Sequence, residues 1–390
     1  MVEISELLFR FNPWWEEEYE ATGIKRKKYV AQLMKLSEIK DVKLIVGLRR
    51  VGKTTIMKQV IEELIKNGKP SNHIIYVPLD AFGLLEYSIH NIIEEFRKIH
   101  GLGFKEYIYI FLDEVTTKEN FSIELKDFHD NENVNIFAAD SSSSLLTEQA
   151  SLLTGRTRKL EVFPLTFDEY LLFRQVAISK AELYLYEKYF LEYMNDGGMP
   201  QYVLSRDPED LIKIIDDILT KDIVLKYDIT NKHEVKELFT LLCERVGKPT
   251  SYAKLARILN VSRDFIRRLL EYFEQAFLFY QLPICGGTSQ KITSPKKIYI
   301  ADVGLRNITV GFRDKGAIYE NLVFLKVKNK NPCYYKQNNI ELDFKVENQI
   351  IEAKYNTEVN SKQKQLIEDL KSNYSIIIAN GYKYFLQEEK

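Results

Sequence analysis

A short glycine-rich loop holds the residues whose types and spacing are best suited to chemistry. Its sequence is Gly47-Leu48-Arg49-Arg50-Val51-Gly52-Lys53-Thr54, followed by Thr55. Because glycine lets the backbone curl, successive amides of such a loop point at phosphate oxygens, and the next helix adds its positive amino-terminal end. In this pattern Lys53 is expected to hold the β- and γ-phosphates and Thr54 to ligate Mg²⁺. The loop therefore predicts a site for a nucleoside triphosphate with Mg²⁺; the alternative is a glycine-rich turn that binds nothing.

Two adjacent acids at the end of an apolar run form the second half of the predicted site. Asp113 and Glu114 follow residues 107–112, whose composition indicates a buried strand. Asp113 is expected to hold Mg²⁺ through its water shell, and Glu114 to activate the attacking water as general base. The run at 74–77 is predicted to be the extra strand between the loop strand and the acidic strand. In P-loop proteins with such an extra strand, a glutamate activates the attacking water, which supports this role for Glu114.

Polar residues further along the chain are candidates for contact with the γ-phosphate. Ser141 and Ser142 follow the apolar run at 134–139 and are predicted either to sense the γ-phosphate or to cap a helix. Arg156 is expected to neutralise charge in the transition state, within its own chain or from a neighbouring subunit. Arg158 is interpreted as an ordinary solvated side chain.

The spacing of apolar residues predicts the elements that position these side chains. Apolar runs alternate with helical patterns through the first 140 residues, which predicts an α/β fold, a P-loop NTPase sheet of parallel strands with helices on both faces. Helical patterns follow, broken by a turn at Asp196-Gly197-Gly198-Met199-Pro200. Two helical stretches around Asn260-Val261-Ser262, followed by a strand, fit a winged helix-turn-helix. The predicted domains are a P-loop nucleotide-binding core at 1–166, a helical lid or connector at 167–246, a winged helix at 247–312 and a small α+β domain at 313–390.

Composition limits the classes of protein to which this chain can belong. Its 390 residues, 45% of them apolar, predict a globular protein of several domains. Lys and Arg (55) nearly balance Asp and Glu (56), so any nucleic-acid contact must come from a local patch. Cys243, Cys285 and Cys333 lie far apart without a CxxC pattern, which predicts buried free thiols rather than disulfides or a zinc site. No apolar run reaches the roughly 20 residues of a membrane span, so we expect a cytoplasmic protein without a membrane partner.

Seven short motifs, spread over nearly the whole chain, carry a resemblance to a known family. They are Asn12-Pro13-Trp14-Trp15, the glycine loop, Leu112-Asp113-Glu114, Gly155-Arg156, Phe163-Pro164-Leu165-Thr166-Phe167, Gly197-Gly198-Met199-Pro200 and Lys297-Ile298-Tyr299-Ile300-Ala301-Asp302-Val303-Gly304-Leu305-Arg306. Together they resemble the prokaryotic, especially archaeal, AAA-type ATPases. The resemblance implies ATP as the nucleotide, an AAA-related core joined to a winged helix and a nuclease-like domain, and a homo-oligomer as a candidate assembly. In that family the segment after the fourth strand usually begins Gly-Ser-Ser, whereas Asp140 stands here, which leaves the sensor residue open.

Four polar residues near the carboxyl terminus resemble the core of PD-(D/E)xK nucleases. They are Glu320, Asp343, Glu352 and Lys354, and a hairpin would bring Asp343 beside the last two. In such cores two carboxylates bind Mg²⁺ while the lysine orients or activates water for attack on a phosphodiester. The alternatives are a solvated strand edge with charge pairs, or a nuclease fold that has lost its activity.

Positive residues of the predicted winged helix make DNA a candidate partner. Arg263, Arg267 and Arg268 fall on its second helix, where side chains reach phosphates or base edges in a major groove. The alternative is a helix that docks another protein. Lys291 and Lys296-Lys297 are further candidates, as phosphate contacts from the wing.

The order of the motifs favours one hypothesis for the function. It is a DNA-associated ATPase whose nucleotide state moves the winged-helix and nuclease-like domains. Two alternatives stay open at this point. One is a nucleotide-dependent signalling switch that docks proteins and hydrolyses slowly, and the other is an ATP-gated, Mg-dependent nuclease.

Overall fold

The computed structural model describes residues 3–142 and 153–386. The chain folds into two compact units, Met1–Phe163 and Pro164–Lys390. The first unit ends three residues before the predicted end of the ATPase core. The division of the remaining chain into three domains stays a prediction, because residues 164–390 form one compact unit.

A five-stranded sheet forms the centre of the first unit. Its strands are β1 (Val42–Val46), β2 (Ile74–Pro78), β3 (Ile108–Asp113), β4 (Val134–Asp140) and β5 (Thr157–Glu161). They lie in the order β2-β3-β4-β1-β5, and every neighbouring pair is parallel. Every residue of β1, β3 and β4 is buried, as expected for parallel strands covered on both faces. The prediction of a parallel α/β sheet is confirmed.

The prediction that residues 74–77 lie between the loop strand and the acidic strand is wrong. The strand between β1 and β3 is β4, and β2 lies at the edge of the sheet. An extra strand therefore does separate the two motifs, but it comes later in the chain. Parallel strands are joined by crossover connections, so neighbours in the sequence need not be neighbours in the sheet.

Within residues 3–142 and 153–163, five α-helices accompany this sheet: α1 (Ile4–Phe11), α2 (Lys27–Leu36), α3 (Lys53–Lys66), α4 (Ile89–His100) and α5 (Phe121–Asn131). Helix α3 follows the glycine loop directly and buries Ile56, Val60, Ile61 and Leu64, which recur at helical spacing. Helix α4 begins with a capping box at Ser88 and ends at Gly101, whose φ of 67° suits glycine. Local sequence thus fixes where α4 begins and ends.

The amino-terminal segment covers the edge of the sheet at β2. The Asn12 side chain donates to the carbonyl of Tyr76 at 3.0 Å and accepts from its amide at 2.6 Å, as a neighbouring strand would. The indoles of Trp14 and Trp15 both donate to the carbonyl of Ile74, at 3.1 and 2.8 Å. Backbone groups of an edge strand that would otherwise be unpaired are therefore satisfied by side chains.

The second unit begins with helices. They are α6 (Phe167–Phe173), α7 (Leu185–Asp196), α8 (Pro200–Ser205), α9 (Pro208–Asp217), a π-helix at Ile218–Leu225 and α10 (Lys232–Glu244). Gly197, with a φ of 73°, ends α7, and Pro200 begins α8. The predicted turn at this position is confirmed, because proline suits the first position of a helix and glycine suits its end.

Two helices and a small antiparallel sheet come next. Helices α11 (Tyr252–Leu259) and α12 (Arg263–Gln275) flank a turn in which Asn260 has a φ of 53°. The strands β6 (Pro249–Thr250), β7 (Phe279–Leu282) and β8 (Lys296–Ile300) lie in the order β6-β8-β7, and α13 (Thr288–Thr293) lies between the last two in sequence. This order of elements is the one from which a winged helix was inferred, and that assignment stays a prediction.

A four-stranded sheet lies in the last part of the second unit. It follows α14 (Val303–Val310) and α15 (Lys315–Val327), and contains β9 (Cys333–Gln337), β10 (Ile340–Val346), β11 (Gln349–Lys354) and, after α16 (Ser361–Leu370), β12 (Ser375–Asn380). The order is β12-β11-β10-β9, with β12 parallel to β11 and the other pairs antiparallel. Leu342, Ile350 and Leu366 belong to the apolar core between the sheet and α16.

The prediction that all three cysteines are free thiols is wrong for two of them. Cys285 and Cys333 form a disulfide with an S–S distance of 2.11 Å. The segments carrying them pair as neighbouring strands do, because the amide of Cys285 donates to the carbonyl of Tyr334 at 2.8 Å. Cys243 is a buried free thiol, as predicted.

The described part of the chain contains no helix with both the length and the apolar character needed to traverse a lipid bilayer.

Candidate functional site

The glycine loop joins the carboxyl end of β1 to the amino end of α3. Gly47 has a φ of 146°, and a Cβ atom there would lie 2.3 Å from the carbonyl oxygen of Val162. Gly52 has a φ of 98° and precedes the first residue of the helix. Position 47 thus requires glycine because a side chain would clash and because the backbone is left-handed. Position 52 requires it for the backbone conformation alone.

Lys53 lies folded back over the loop. Its side chain is buried, and Nζ donates to the carbonyls of Gly47 at 2.9 Å and Leu48 at 3.0 Å. The ammonium is therefore already positioned above the curled backbone. A phosphate bound in this loop would offer oxygens to replace the two carbonyls as acceptors.

Thr54 and Asp113 meet where α3 begins and β3 ends. The Thr54 hydroxyl donates to Oδ2 of Asp113, and the Tyr76 hydroxyl donates to the same oxygen at 3.0 Å. Burial raises the pKa of Asp113, against the opposing effects of the Thr54 hydroxyl and the Lys53 ammonium. A hydroxyl and a carboxylate in contact are the hard oxygen ligands that suit Mg²⁺, so these residues fit the predicted ion.

Glu114 follows in a left-handed conformation with a φ of 50°. Its carboxylate accepts from the Ser141 hydroxyl at 2.9 Å. Burial, and then the nearby carboxylate of Asp140, raise the pKa of Glu114 to about 7, although Lys53 lowers it. A carboxylate with a pKa near neutrality is a stronger base than an ordinary glutamate and is still ionised in part at pH 7.

The structure distinguishes the two sensor candidates. Ser141 contacts Glu114, whereas the amide of Ser142 donates to Oδ1 of Asp140 at 2.7 Å. Asp140, which stands where the family usually has glycine, is buried and accepts from the amide of Thr116 at 3.0 Å and its hydroxyl at 2.5 Å. Sequence reasoning missed this role of Asp140, although an acid at the end of a buried apolar run was a signal for it.

Arg156 is not brought to the loop of its own chain. Its carbonyl accepts from the amide of Val42 at 2.7 Å, at the amino end of β1, whereas the loop follows the carboxyl end. Its guanidinium donates to Asp130 at 2.8 and 3.1 Å. Since β1 rises by about 3.3 Å per residue, roughly 15 Å of strand separates the two ends. A role within its own chain is therefore withdrawn, and a role in a neighbouring subunit stays a prediction.

Arg26 supports the loop from the amino-terminal segment. It is 3% exposed, and its guanidinium donates to the carbonyls of Val51 at 3.0 Å and Phe163 at 2.9 Å. The same group lies 4.5 Å from the centre of the Tyr29 ring. The basic cluster at 25–28 was visible in the sequence, but nothing in it distinguished this buried arginine from its neighbours.

The second unit brings the four predicted nuclease residues together. Glu320 lies on α15, Asp343 on β10, and Glu352 and Lys354 on β11. The Glu352 carboxylate accepts from the amide of Asp343 at 3.1 Å and from Lys354 at 2.7 Å. The Asp343 carboxylate accepts from the amide of Ala353 at 3.0 Å.

A fifth residue, Lys297 on β8, lies among these acids, and sequence reasoning gave it another role. Its Nζ is 2.9 Å from Glu320, 2.8 Å from Glu341 and 3.1 Å from Asp343. It is 1% exposed, so the prediction that Lys297 contacts phosphate from a wing is wrong. Burial and the Asp343 carboxylate raise the pKa of Glu320 to about 7.

Two of the motifs behind the family resemblance meet at a buried aspartate. Asp302 accepts from the amides of Gly198 at 2.6 Å and Leu305 at 3.1 Å, and burial raises its pKa to about 6. A Cβ atom on Gly197 would lie 2.3 Å from the Asp302 carboxylate, so no larger residue fits there. These motifs therefore have a structural role in the second unit.

The three arginines of α12 are exposed. Arg267 pairs with Asp264 at 3.8 Å, while the buried face of the helix carries Ile266, Leu269 and Phe273. Arg263 and Arg268 share the exposed part of the helix with Arg267. The predicted DNA contact thus has accessible side chains, and the contact itself stays a prediction.

Two family models match parts of this chain, and several known proteins are similar to most of it. Residues 40–171 match the model of an AAA domain, and residues 187–316 match a domain of unknown function, DUF8612. An uncharacterized protein of Methanocaldococcus jannaschii is 32% identical over 387 residues, covering 90% of this chain and 85% of the relative. An uncharacterized protein of Haemophilus influenzae is 28% identical over 391 residues, covering 94% and 95%. A Walker-type ATPase of Pyrococcus abyssi is similar in structure with a TM-score of 0.44 and 11% identity, covering 76% of this chain and 99% of that one.

Proposed function

Since this chain belongs to one family with the Methanocaldococcus jannaschii protein and its residues 40–171 match an AAA domain, we propose that it is a P-loop ATPase, which binds ATP with Mg²⁺ on the loop after β1 and hydrolyses it. The observation that carries the proposal is the meeting of Lys53, Thr54, Asp113 and Glu114 at the carboxyl ends of β1 and β3. These residues supply the cation, the metal ligands and the base that phosphoryl transfer to water requires.

Phosphate binding is proposed to exchange the hydrogen bonds of Lys53. The ammonium leaves the carbonyls of Gly47 and Leu48 and donates to phosphate oxygens, while the loop amides donate to the same group. Thr54 and Asp113 would hold Mg²⁺, which when bound neutralises charge on the phosphate oxygens. Because Arg26 holds the carbonyl of Val51, the loop keeps its curl during this exchange.

Glu114 is proposed to accept a proton from the attacking water. As the water oxygen bonds to the γ-phosphorus and the bond to the leaving ADP oxygen breaks, one water proton passes to the Glu114 carboxylate. The Ser141 hydroxyl orients that carboxylate through its 2.9 Å hydrogen bond. A pKa of about 7 for Glu114 makes the transfer more favourable than it would be to an ordinary glutamate.

The test is ATP turnover with Mg²⁺ by three variants of the full chain. Lys53→Ala is expected to lose both ATP binding and turnover. Glu114→Gln is expected to keep binding and to lose roughly 10²- to 10⁴-fold in turnover, the usual contribution of a general base. Glu119→Gln, an exposed acid five residues later, serves as the matched control. Turnover that survives Glu114→Gln at the wild-type rate would contradict the proposal.

We also propose that nucleotide state controls contact between DNA and α12, and so couples the ATPase core to the winged-helix and nuclease-like regions. Its support is the set of exposed arginines at 263, 267 and 268 in a chain whose overall charge is close to zero. Replacing all three by alanine should weaken binding of duplex DNA and reduce its salt dependence by nearly one unit of log–log slope for each phosphate that is no longer neutralised. Lys362 and Lys364 of α16, both to alanine, provide the control. Binding that is unchanged in the triple variant would indicate that α12 does not contact DNA.

A slow signalling switch is the second candidate function. The observation that favours it is the pKa of about 7 for Glu114, because the base is then partly protonated at neutral pH and that fraction of the protein does not activate water. Slow turnover that does not respond to single- or double-stranded DNA would support the switch. Turnover that rises with DNA would support the DNA-associated ATPase instead.

A further inference from the structure

The nuclease-like cluster, formed by Glu320, Asp343, Glu352 and Lys354, contains the side-chain ammonium of a further lysine, Lys297. In a PD-(D/E)xK core a divalent metal ion lies between the carboxylates, and Glu320, Asp343 and Glu352 are the carboxylates that the sequence resemblance assigns to such a core. The position between Glu320 and Asp343 is taken by Nζ of Lys297, at 2.9 and 3.1 Å. Within residues 3–142 and 153–386, no group of three or more His, Cys, Asp and Glu side chains is arranged to hold a metal ion.

The fold carries this lysine into the cluster from a different sheet. Lys297 lies on β8, which pairs with β6 and β7, whereas Asp343 lies on β10 of the four-stranded sheet. Tyr299, two residues later on the same face of β8, donates to Glu320 at 2.6 Å. The backbone of Gly247 closes the cluster, since a Cβ atom there would lie 3.1 Å from the Glu320 carboxylate.

The carboxylate oxygens are already directed at donors. Asp343 places one oxygen on Lys297 and the other on the amide of Ala353. Glu352 accepts from Gln363 at 2.6 Å and from Lys354 at 2.7 Å on one oxygen, and from the amide of Asp343 on the other. A Mg²⁺ ion would need such oxygens at about 2.1 Å in octahedral geometry, and an ammonium at hydrogen-bond distance excludes it.

We propose that the Lys297 ammonium permanently replaces the divalent metal ion of this nuclease-like centre, so that the centre is metal-free and does not cleave nucleic acid. The cluster instead joins β8 to α15 and β10 through buried ion pairs. The alternative of an ATP-gated, Mg-dependent nuclease is rejected by this proposal. It also follows that removing the ammonium leaves carboxylates in a place that a divalent ion can fill.

The experiment measures Mn²⁺ binding by the full chain, with free Mn²⁺ counted by electron paramagnetic resonance. All proteins carry Thr54→Ala and no nucleotide is present, which removes binding at the glycine loop. Lys297→Met keeps the length of the side chain and removes its charge, and Lys296→Met, on the neighbouring half-buried lysine, is the matched control. Lys297→Met with Asp343→Asn tests whether any new site uses the cluster.

We expect Lys297→Met to bind one Mn²⁺ at least tenfold more tightly than the parent chain, and the added Asp343→Asn to abolish the gain. The Lys296→Met protein should match the parent. A folded Lys297→Met protein, judged by circular dichroism, that binds no more Mn²⁺ than the parent would overturn the proposal.

A second measurement decides the matter even when Lys297→Met fails to fold. The unmodified chain is incubated with single- and double-stranded DNA and either Mg²⁺ or Mn²⁺. The proposal predicts no cleavage, and cleavage that disappears in Asp343→Asn would overturn it.

Discussion

The pH dependence of ATP turnover tests Glu114 as the general base. Burial, together with the Asp140 and Asp113 carboxylates, raises the pKa of Glu114 to about 7 against the opposing effect of Lys53. Only the ionised carboxylate accepts a proton, so about a tenth of the protein is competent at pH 6 and about nine-tenths at pH 8. We therefore expect kcat/KM, which reports on the free enzyme, to rise about tenfold between these values and then to level off.

Asp140→Asn should move this rise to lower pH. The amide removes the negative charge that raises the pKa of Glu114, yet keeps an oxygen that accepts from Thr116. Asp127→Asn, an exposed acid on α5, is the matched control and should leave the midpoint where it is. The pH profile of Glu114→Gln shows how much of the rise comes from titration of the nucleotide rather than of Glu114. A midpoint near 4.5, or the same rise in Glu114→Gln, would refute the assignment of the base.

The same pKa predicts an effect on stability. A carboxyl whose folded pKa lies above its unfolded value binds more protons when folded, so it costs stability as the pH rises from about 4.5 to about 7. The rise from 4.5 to about 7 corresponds to about 3 kcal/mol. Thermal unfolding should therefore show Glu114→Gln to be more stable than the wild type at pH 8 and close to it at pH 4.5. Equal stabilities at pH 8 would contradict the raised pKa.

Three further predictions concern the loop and its supports. Ser141→Ala should lower turnover at pH 7 by roughly fivefold, about the effect of one hydrogen bond, because the hydroxyl lowers the pKa of Glu114. The loss should be smaller at pH 8.5, where the carboxylate is ionised in both proteins. Higher turnover in the variant would support the switch. Gly47→Ala should abolish binding of a fluorescent ATP analogue, since its Cβ would lie 2.3 Å from the carbonyl of Val162, whereas Gly68→Ala, beyond α3, should not. Arg26→Ala should lower the unfolding free energy by about 1–3 kcal/mol and weaken ATP binding, because it removes the donor to the carbonyls of Val51 and Phe163. Wild-type values of both would contradict its role.

The glycine loop and the acidic strand could be predicted because their signals are local. A loop between an apolar run and a helical pattern, and an acid pair after a second run, require only the sequence on either side of each motif. The contact between Thr54 and Asp113 follows once both strands are parallel, since their carboxyl ends then share one edge. The order of the strands in the sheet could not be predicted in this way. The position of β4 beside β1 depends on pairing between segments about 90 residues apart, which local spacing does not encode.

The errors share the same origin. Cys285 and Cys333 are 48 residues apart, and only the pairing of their segments reveals that they bond. Lys297 sits beside Lys296 in a basic pair, which indicates exposure, yet alternation along a strand sends one of the two side chains inward. A buried lysine needs carboxylates nearby to pair with its charge. Here those carboxylates come from α15 and β10, far from Lys297 in the sequence, so its own neighbours gave no sign of them.

The amino-terminal cover of β2 has a consequence for handling the protein. The side chains of Asn12, Trp14 and Trp15 occupy backbone groups that another strand would otherwise recruit. A chain shortened to begin after Trp15 would leave the apolar edge strand β2 uncovered, and uncovered edge strands can pair with one another and lead to aggregation. The short segment before the first strand thus protects the protein from aggregation through β2. A domain prepared from the AAA match alone, which begins at residue 40, would lack this segment.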